Sequence, residues 1–175
     1  MKKTVLIFGL ISGAIASGMM MATLPFIEKI GFEKGEILGY TSIVLSGLIV
    51  FFGVRSYREN AGAGRLTFGR GFAVGLLITL ISSLCYVATW QLIYYKVEPD
   101  FADKYAACMV DRAKASGASQ QKIEEAVKQA RDMKQMLNKP VLNVALAFME
   151  VFPIGLVVTA VSAGILRKKG TLNEN

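Results

Sequence analysis

Apolar residues in this chain gather in four long runs, approximately residues 4–24, 37–54, 72–95 and 141–166, and polar positions concentrate in the connections between them. Each run approaches or exceeds the ~20 residues a helix needs to cross ~30 Å of hydrocarbon, so each predicts a transmembrane helix. The polar connection from Lys96 to Lys139 is too long for a structureless loop in a compact domain and predicts helices of its own. In its first half Phe101, Tyr105, Cys108 and Met109 fall on one helical face, with Pro99 suited to the first turn. Ser116-Gly117-Ala118-Ser119 interrupts that face, and Ser119 is placed to cap a second helix carrying Ile123, Val127, Ala130, Met133 and Leu137 on one stripe. The pattern therefore predicts an all-α, integral membrane four-helix bundle, one domain over residues 1–175, with an extracytoplasmic helical hairpin at about residues 99–138 between the third and fourth helices.

Charge supplies the orientation. Lys2 and Lys3 precede the first run, Arg55, Arg58, Arg65 and Arg70 lie between the second and third, and Arg167, Lys168 and Lys169 follow the fourth, opposed only by Glu59 and Glu174. The first connection instead mixes Glu28, Glu33 and Glu36 with Lys29 and Lys34. The Lys/Arg bias puts both termini and the middle loop in the cytoplasm, and the expected location is a bacterial inner membrane, crossed several times. Aromatic residues reinforce this: Phe26, Phe32, Tyr40, Trp90, Tyr94 and Tyr95 cluster at the outer interface, and Phe51, Phe52, Tyr57, Phe68 and Phe72 at the inner. The formal charge of +7 is thus a topology signal facing the lipid bilayer, and no nucleic-acid partner is expected. A mean hydropathy of +0.45 agrees. Ala14-Ile15-Ala16 before Ser17 resembles a signal-peptidase site, but the apolar run continues to Leu24 and ends at Pro25, which favours a retained span.

The inventory of reactive groups excludes several classes of chemistry. There is no histidine, and the two cysteines, Cys85 in a span and Cys108 in the hairpin, are not expected to pair. Gly62-Ala63-Gly64 has neither the preceding strand nor the following Gly-Lys-Ser/Thr of a phosphate-binding loop and reads as a turn. No nucleophile–base pair, metal-ligand cluster or nucleotide motif is present, and no cofactor is expected. Small residues at four-residue spacing, Gly9, Gly13 and Ser17 on the first run and Gly71, Gly75, Thr79 and Ser83 on the third, predict close packing within the bundle, with a homodimer seam the less favoured use.

Glu150 is the one acidic or basic residue well inside an apolar run, which makes it the candidate functional residue. Counting back from Arg167 at ~1.5 Å per residue puts it ~25 Å from the inner boundary, in the outer third of a ~30 Å core. Hydroxyls of Ser82, Ser83 or Tyr86, or the amide of Gln91, are the expected bonding partners, and Pro153 three residues on is expected to loosen the helix nearby.

Phe52-Gly53-Val54-Arg55-Ser56-Tyr57-Arg58, Thr67-Phe68-Gly69-Arg70-Gly71, Tyr94-Tyr95-Lys96 with Pro99-Asp100-Phe101, and Met149-Glu150-Val151-Phe152-Pro153 resemble the bacterial membrane family catalogued as domain of unknown function 4199. That resemblance covers nearly the whole chain and implies a small four-span membrane protein, without implying an activity. Two functions compete. The first is a non-enzymatic membrane component presenting its hairpin to a membrane or extracytoplasmic protein partner. The alternative is a small transporter or channel with Glu150 in a polar path between the third and fourth spans. A membrane-embedded enzyme comes third.

Overall fold

The computed structural model describes residues 1–168; Lys169 and Glu174 of the terminal charge pattern lie outside the described residues. The chain forms α1 (Lys2–Thr23), a 3-10 turn, α2 (Ile27–Ile30), α3 (Phe32–Asn60), α4 (Phe68–Leu92), a π turn (Ile93–Val97), α5 (Phe101–Ala115), α6 (Gln120–Leu137) and α7 (Pro140–Leu166). Among the described residues four segments, Lys2–Phe26, Phe32–Asn60, Phe68–Val97 and Pro140–Leu166, are long and apolar enough to cross a membrane. The protein is an all-α membrane protein.

The helices overrun the apolar runs that predict them. The second span starts at Phe32 rather than residue 37 and ends at Asn60 rather than residue 54. Hydropathy marks where lipid can lie, whereas a helix continues as long as its backbone bonds and charged pairs allow. The Arg55 guanidinium donates to Glu59 at 2.9 Å, one turn on, and supports those last turns. The third span likewise continues through its π turn to Val97. That turn displaces the start of the next helix: Pro99 sits in the connection and Asp100 precedes α5. Ser119 does occupy the capping position of α6, but its side chain makes no cap bond, and the first turn is closed by the Ser119 carbonyl accepting from the Ile123 amide at 3.1 Å.

At the end of the bundle that carries the start of α1 and the end of α7, the helices interlock. Val5, Val50, Val54, Leu66, Val74, Ile78 and Leu166 form one buried cluster. The Gly62-Ala63-Gly64 turn, with Gly64 at φ 77° where a side chain is strained, returns the chain so that Leu66 and Lys168 exchange backbone hydrogen bonds at 3.0 and 3.1 Å. Contact between helices runs through small residues. A Cβ placed on Gly13 of α1 would lie 2.7 Å from the Cβ of Cys85 on α4, and one on Gly9 would lie 2.9 Å from that of Ile81. On the other side of α4, Gly75 faces Thr159 at 2.8 Å and Gly71 faces Ala163 at 3.4 Å. The small-residue stripes of the first and third spans thus meet helices of their own chain. Without a hydrophobic drive inside lipid, such close backbone approach supplies the dispersion that holds helices together.

Polar groups are enclosed in this packing. Ser12, Ser46 and Ser82, one each from α1, α3 and α4, bring their hydroxyls within 2.7 to 3.4 Å of one another. Ser12 and Ser46 also donate to each other's carbonyls at 2.9 and 3.0 Å. The Thr79 and Thr159 hydroxyls lie 3.1 Å apart and join α4 to α7.

The opposite end is capped by α5 and α6, which pair as a hairpin turned at Gly117 (φ 67°) and bridged by the Lys134–Asp103 ion pair. Tyr94, Ala102 and Leu137 are buried together, with Trp90, Phe101, Met133 and Leu146 packed around them. Phe101 meets Trp90 edge to face with ring centroids 5.1 Å apart, and Phe32 of α3 leans on Phe101 and Tyr105 at 6.2 and 6.0 Å. Arg112 reaches back to Glu36 of α3 at 3.4 Å. Phe32 and Trp90, expected in an interfacial belt, are therefore spent on seating the hairpin.

Candidate functional site

Below the hairpin the four spans do not close. α3 touches α7 where a Cβ on Gly47 would come within 3.3 Å of Val158, and beyond that level a cavity of about 530 Å³ occupies the space between them. Ala16 and Met20 of α1 with Tyr86 and Trp90 of α4 form its floor, and Phe101, Tyr105, Met133 and Leu137 of the hairpin form its roof. Its walls come from Glu36, Gly39, Tyr40 and Ser42 on α3 and from Asn143, Leu146, Ala147, Met149 and Glu150 on α7. Tyr40 is 55% exposed and Met149 63%, so the rim between α3 and α7 lies open on the flank of the bundle.

Glu150 stands on this rim. The helix between it and Leu166 is assigned without a break through Pro153 and rises ~24 Å, which puts the carboxylate in the hairpin-side part of the span. The Tyr86 hydroxyl donates to it at 3.3 Å. The other three expected partners are elsewhere. Ser82 belongs to the hydroxyl cluster with Ser12 and Ser46. The Ser83 hydroxyl is buried with no hydrogen-bond partner, and Gln91 donates to Asn143 at 2.8 Å. Ser82 and Ser83 lie about a turn, ~5 Å, toward the termini from Tyr86, below the level of Glu150.

Asn143 is the hub that sequence reasoning missed. It is fully buried; its side-chain oxygen accepts from Trp90 Nε1 at 2.6 Å and Gln91 Nε2 at 2.8 Å, and its Nδ2 donates to the Leu137 carbonyl at 2.8 Å. One amide thereby ties α4, α6 and α7 together and orients the indole that floors the cavity. The signal was present, since Asn143 is the one carboxamide in the last apolar run.

Chemically the lining combines rings and thioethers with two carboxylates, and it contains neither Lys nor Arg. Glu36 is engaged by Arg112. Tyr105 is held as a neutral phenol: burial first, then the Glu36 carboxylate, push its pKa above the usual tyrosine value. Among the described residues no group of three or more His, Cys, Asp or Glu could hold a metal ion, and Cys85 and Cys108 are both free thiols.

Four helices long and apolar enough to cross a membrane, a helical cap and a cavity open at its rim define the class: an all-α membrane protein. The chain belongs to the family described as "Protein of unknown function (DUF4199)", whose model matches residues 6–168. Neither the curated proteins nor the solved structures contain a significant match to it.

Proposed function

We propose that this membrane protein is a non-enzymatic component that binds a small amphipathic molecule in the chamber beneath its hairpin, exchanging it with the bilayer through the rim between α3 and α7. The observation that carries the reading is the chamber itself: about 530 Å³, within the range of small-molecule sites, apolar with a few convergent polar groups. Glu150 at the rim fits the transport alternative better than the hairpin-presenting one, because Phe101, Ala102 and Leu137 of the hairpin are already committed to the bundle. A second reading, a protein partner on the hairpin, is favoured by exposed Val127 and Met136 on α6. Cross-linking in native membranes decides it, and loss of a specific product on deleting residues 103–136 supports it. A profile from the intact chain without specific products removes it.

For orientation we infer that the basic end is cytoplasmic, because Lys2, Lys3, Arg55, Arg58, Arg65, Arg70 and Arg167 flank the spans on that side. An impermeant thiol reagent added from outside then labels Cys108 and spares Cys85; labelling of Cys108 from the cytoplasmic side alone reverses the assignment.

The chamber is tested through Trp90, the one tryptophan in the chain. With the protein in nanodiscs, the neutral lipophilic fluorophore N-phenyl-1-naphthylamine is expected to accept energy from Trp90 saturably. Gly39→Leu, which extends a side chain into the chamber, weakens that binding by about tenfold or more, equivalent to ~1.4 kcal/mol. A signal that only tracks lipid partitioning, unchanged in Gly39→Leu, overturns the proposal.

A further inference from the structure

We propose that the occupant of the chamber is an amphipathic organic cation whose positive head pairs with Glu150 and whose apolar body lies against the rings of Trp90, Phe101 and Tyr105. The inference rests on the binding reading above and adds the charge of the ligand.

The first support is an asymmetry of charge. The chain carries 20 Lys and Arg against 13 Asp and Glu, yet the chamber wall has two carboxylates and no basic side chain. Despite the basic excess, no basic side chain lines this cavity among the described residues, and Arg112 beside it is paired with Glu36. Such a wall repels anions and attracts cations before any contact forms.

The two carboxylates are not equivalent. Glu36 already has a guanidinium, Arg112 Nη1 at 3.4 Å. Glu150 has no basic partner among the described residues; its hydrogen bond comes from the Tyr86 phenol, a neutral donor. A carboxylate in an apolar span without a counter-charge is costly, and a bound cation offsets that cost at the point where the chamber meets the lipid. Glu150 is therefore the recognition group and Glu36 a wall charge held in place by the hairpin.

The remaining lining suits the other half of such a ligand. Aromatic faces attract cations through their quadrupoles and stack on flat apolar bodies. Trp90 is fixed by Asn143 at 2.6 Å and by the edge-to-face contact with Phe101, so one ring is presented in a set orientation. Met20, Met133 and Met149 add adaptable thioether surface. A hydrophilic ion would leave these surfaces unmatched, whereas a lipid-soluble cation matches both them and the membrane-side opening.

The test uses a pair of ions alike in size and opposite in charge, tetraphenylphosphonium and tetraphenylborate, titrated against the chain in phosphatidylcholine nanodiscs with Trp90 fluorescence as readout and empty nanodiscs subtracted. The cation is expected to bind about tenfold or more tightly than the anion, and Glu150→Gln to erase that ratio while still binding the neutral naphthylamine probe. Equal or tighter binding of the anion overturns the inference without any variant. So does a cation preference that survives Glu150→Gln. If neither ion binds but the neutral probe does, the cation assignment fails and the chamber reading stands; if the neutral probe also fails to bind, the reading beneath it fails as well.

Discussion

The two ends of the bundle are made by the same helices and differ in what stands between them. Toward the termini, Gly9, Gly13, Gly71 and Gly75 remove side chains from the interfaces, and hydroxyls from α1, α3 and α4 satisfy one another in the resulting closeness. Toward the hairpin, Asn143 ties α4, α6 and α7 together, while α3 and α7 stand apart beneath the aromatic rings of the hairpin and leave a chamber. In lipid, where apolar side chains gain nothing by leaving the solvent, closure depends on fit, and helices that lack it leave a space. A membrane protein can thus keep a closely packed half and an open half along one set of helices.

The most severe way to break this contrast is to wedge the closed end. Gly13→Leu drives a side chain into the Cβ of Cys85, which already stands 2.7 Å from where the new Cβ would be. Overpacking of this kind costs about 3 kcal/mol, read as a lowered midpoint for unfolding in mixed micelles. Near-native stability in that variant would mean that α1 and α4 can part, and the closed end would not be closed.

Removing the tie beside the chamber comes next. Asn143→Leu leaves Trp90 Nε1, Gln91 Nε2 and the Leu137 carbonyl without their shared partner. Intramembrane hydrogen bonds are individually modest, so the expected loss is about 2 kcal/mol, together with a changed Trp90 emission maximum as the indole reorients. An unchanged emission spectrum would show that Asn143 does not set the ring.

These two residues also show what can be read from sequence. The four spans and the helical pair between the third and fourth were legible because hydropathy and helical period are local properties of the chain. Glu150 was legible as a charge in an apolar run. Its partner was not: Ser82, Ser83, Tyr86 and Gln91 were all in reach by depth, and the choice of Tyr86 depends on how α4 is rotated against α7, which only packing decides. The chamber was less legible still. Gly13 and Gly39 are both glycines in apolar helices, yet one is pressed against Cys85 and the other has nothing within 4 Å of its would-be Cβ. A void is what remains after every helix has been placed, and no short window of sequence contains it.

A smaller effect sharpens the account of the closed end. Ser12→Ala removes the hydroxyl that contacts both Ser46 and Ser82. Ser46 and Ser82 retain each other at 3.4 Å, and Ser46 keeps its bond to the Ser12 carbonyl, so the expected cost is about 1 kcal/mol. A much larger loss in the unfolding midpoint would make the hydroxyl cluster, and not the glycine contacts, the main fastening of α1.

The smallest effect on stability is expected at Gly39, and it is the most telling because the substitution is the same as at Gly13. Gly39 lies inside α3, about two turns from its start, where replacing glycine relieves a helix-propensity penalty of roughly 1 kcal/mol, and its would-be Cβ meets nothing within 4 Å. The added leucine extends along Ala147, Leu146 and Met149 across the chamber and gains apolar contact in place of an opening. Gly39→Leu should therefore unfold within ~1 kcal/mol of the parent, in the same micelles in which Gly13→Leu is crippled. If both leucines destabilise alike, α3 and α7 have closed on each other under the hairpin and the chamber is not an open space in the membrane. If Gly39→Leu is tolerated while blocking the naphthylamine probe, the variant that blocks binding is also the one that leaves the fold intact, and the loss of binding cannot be charged to unfolding.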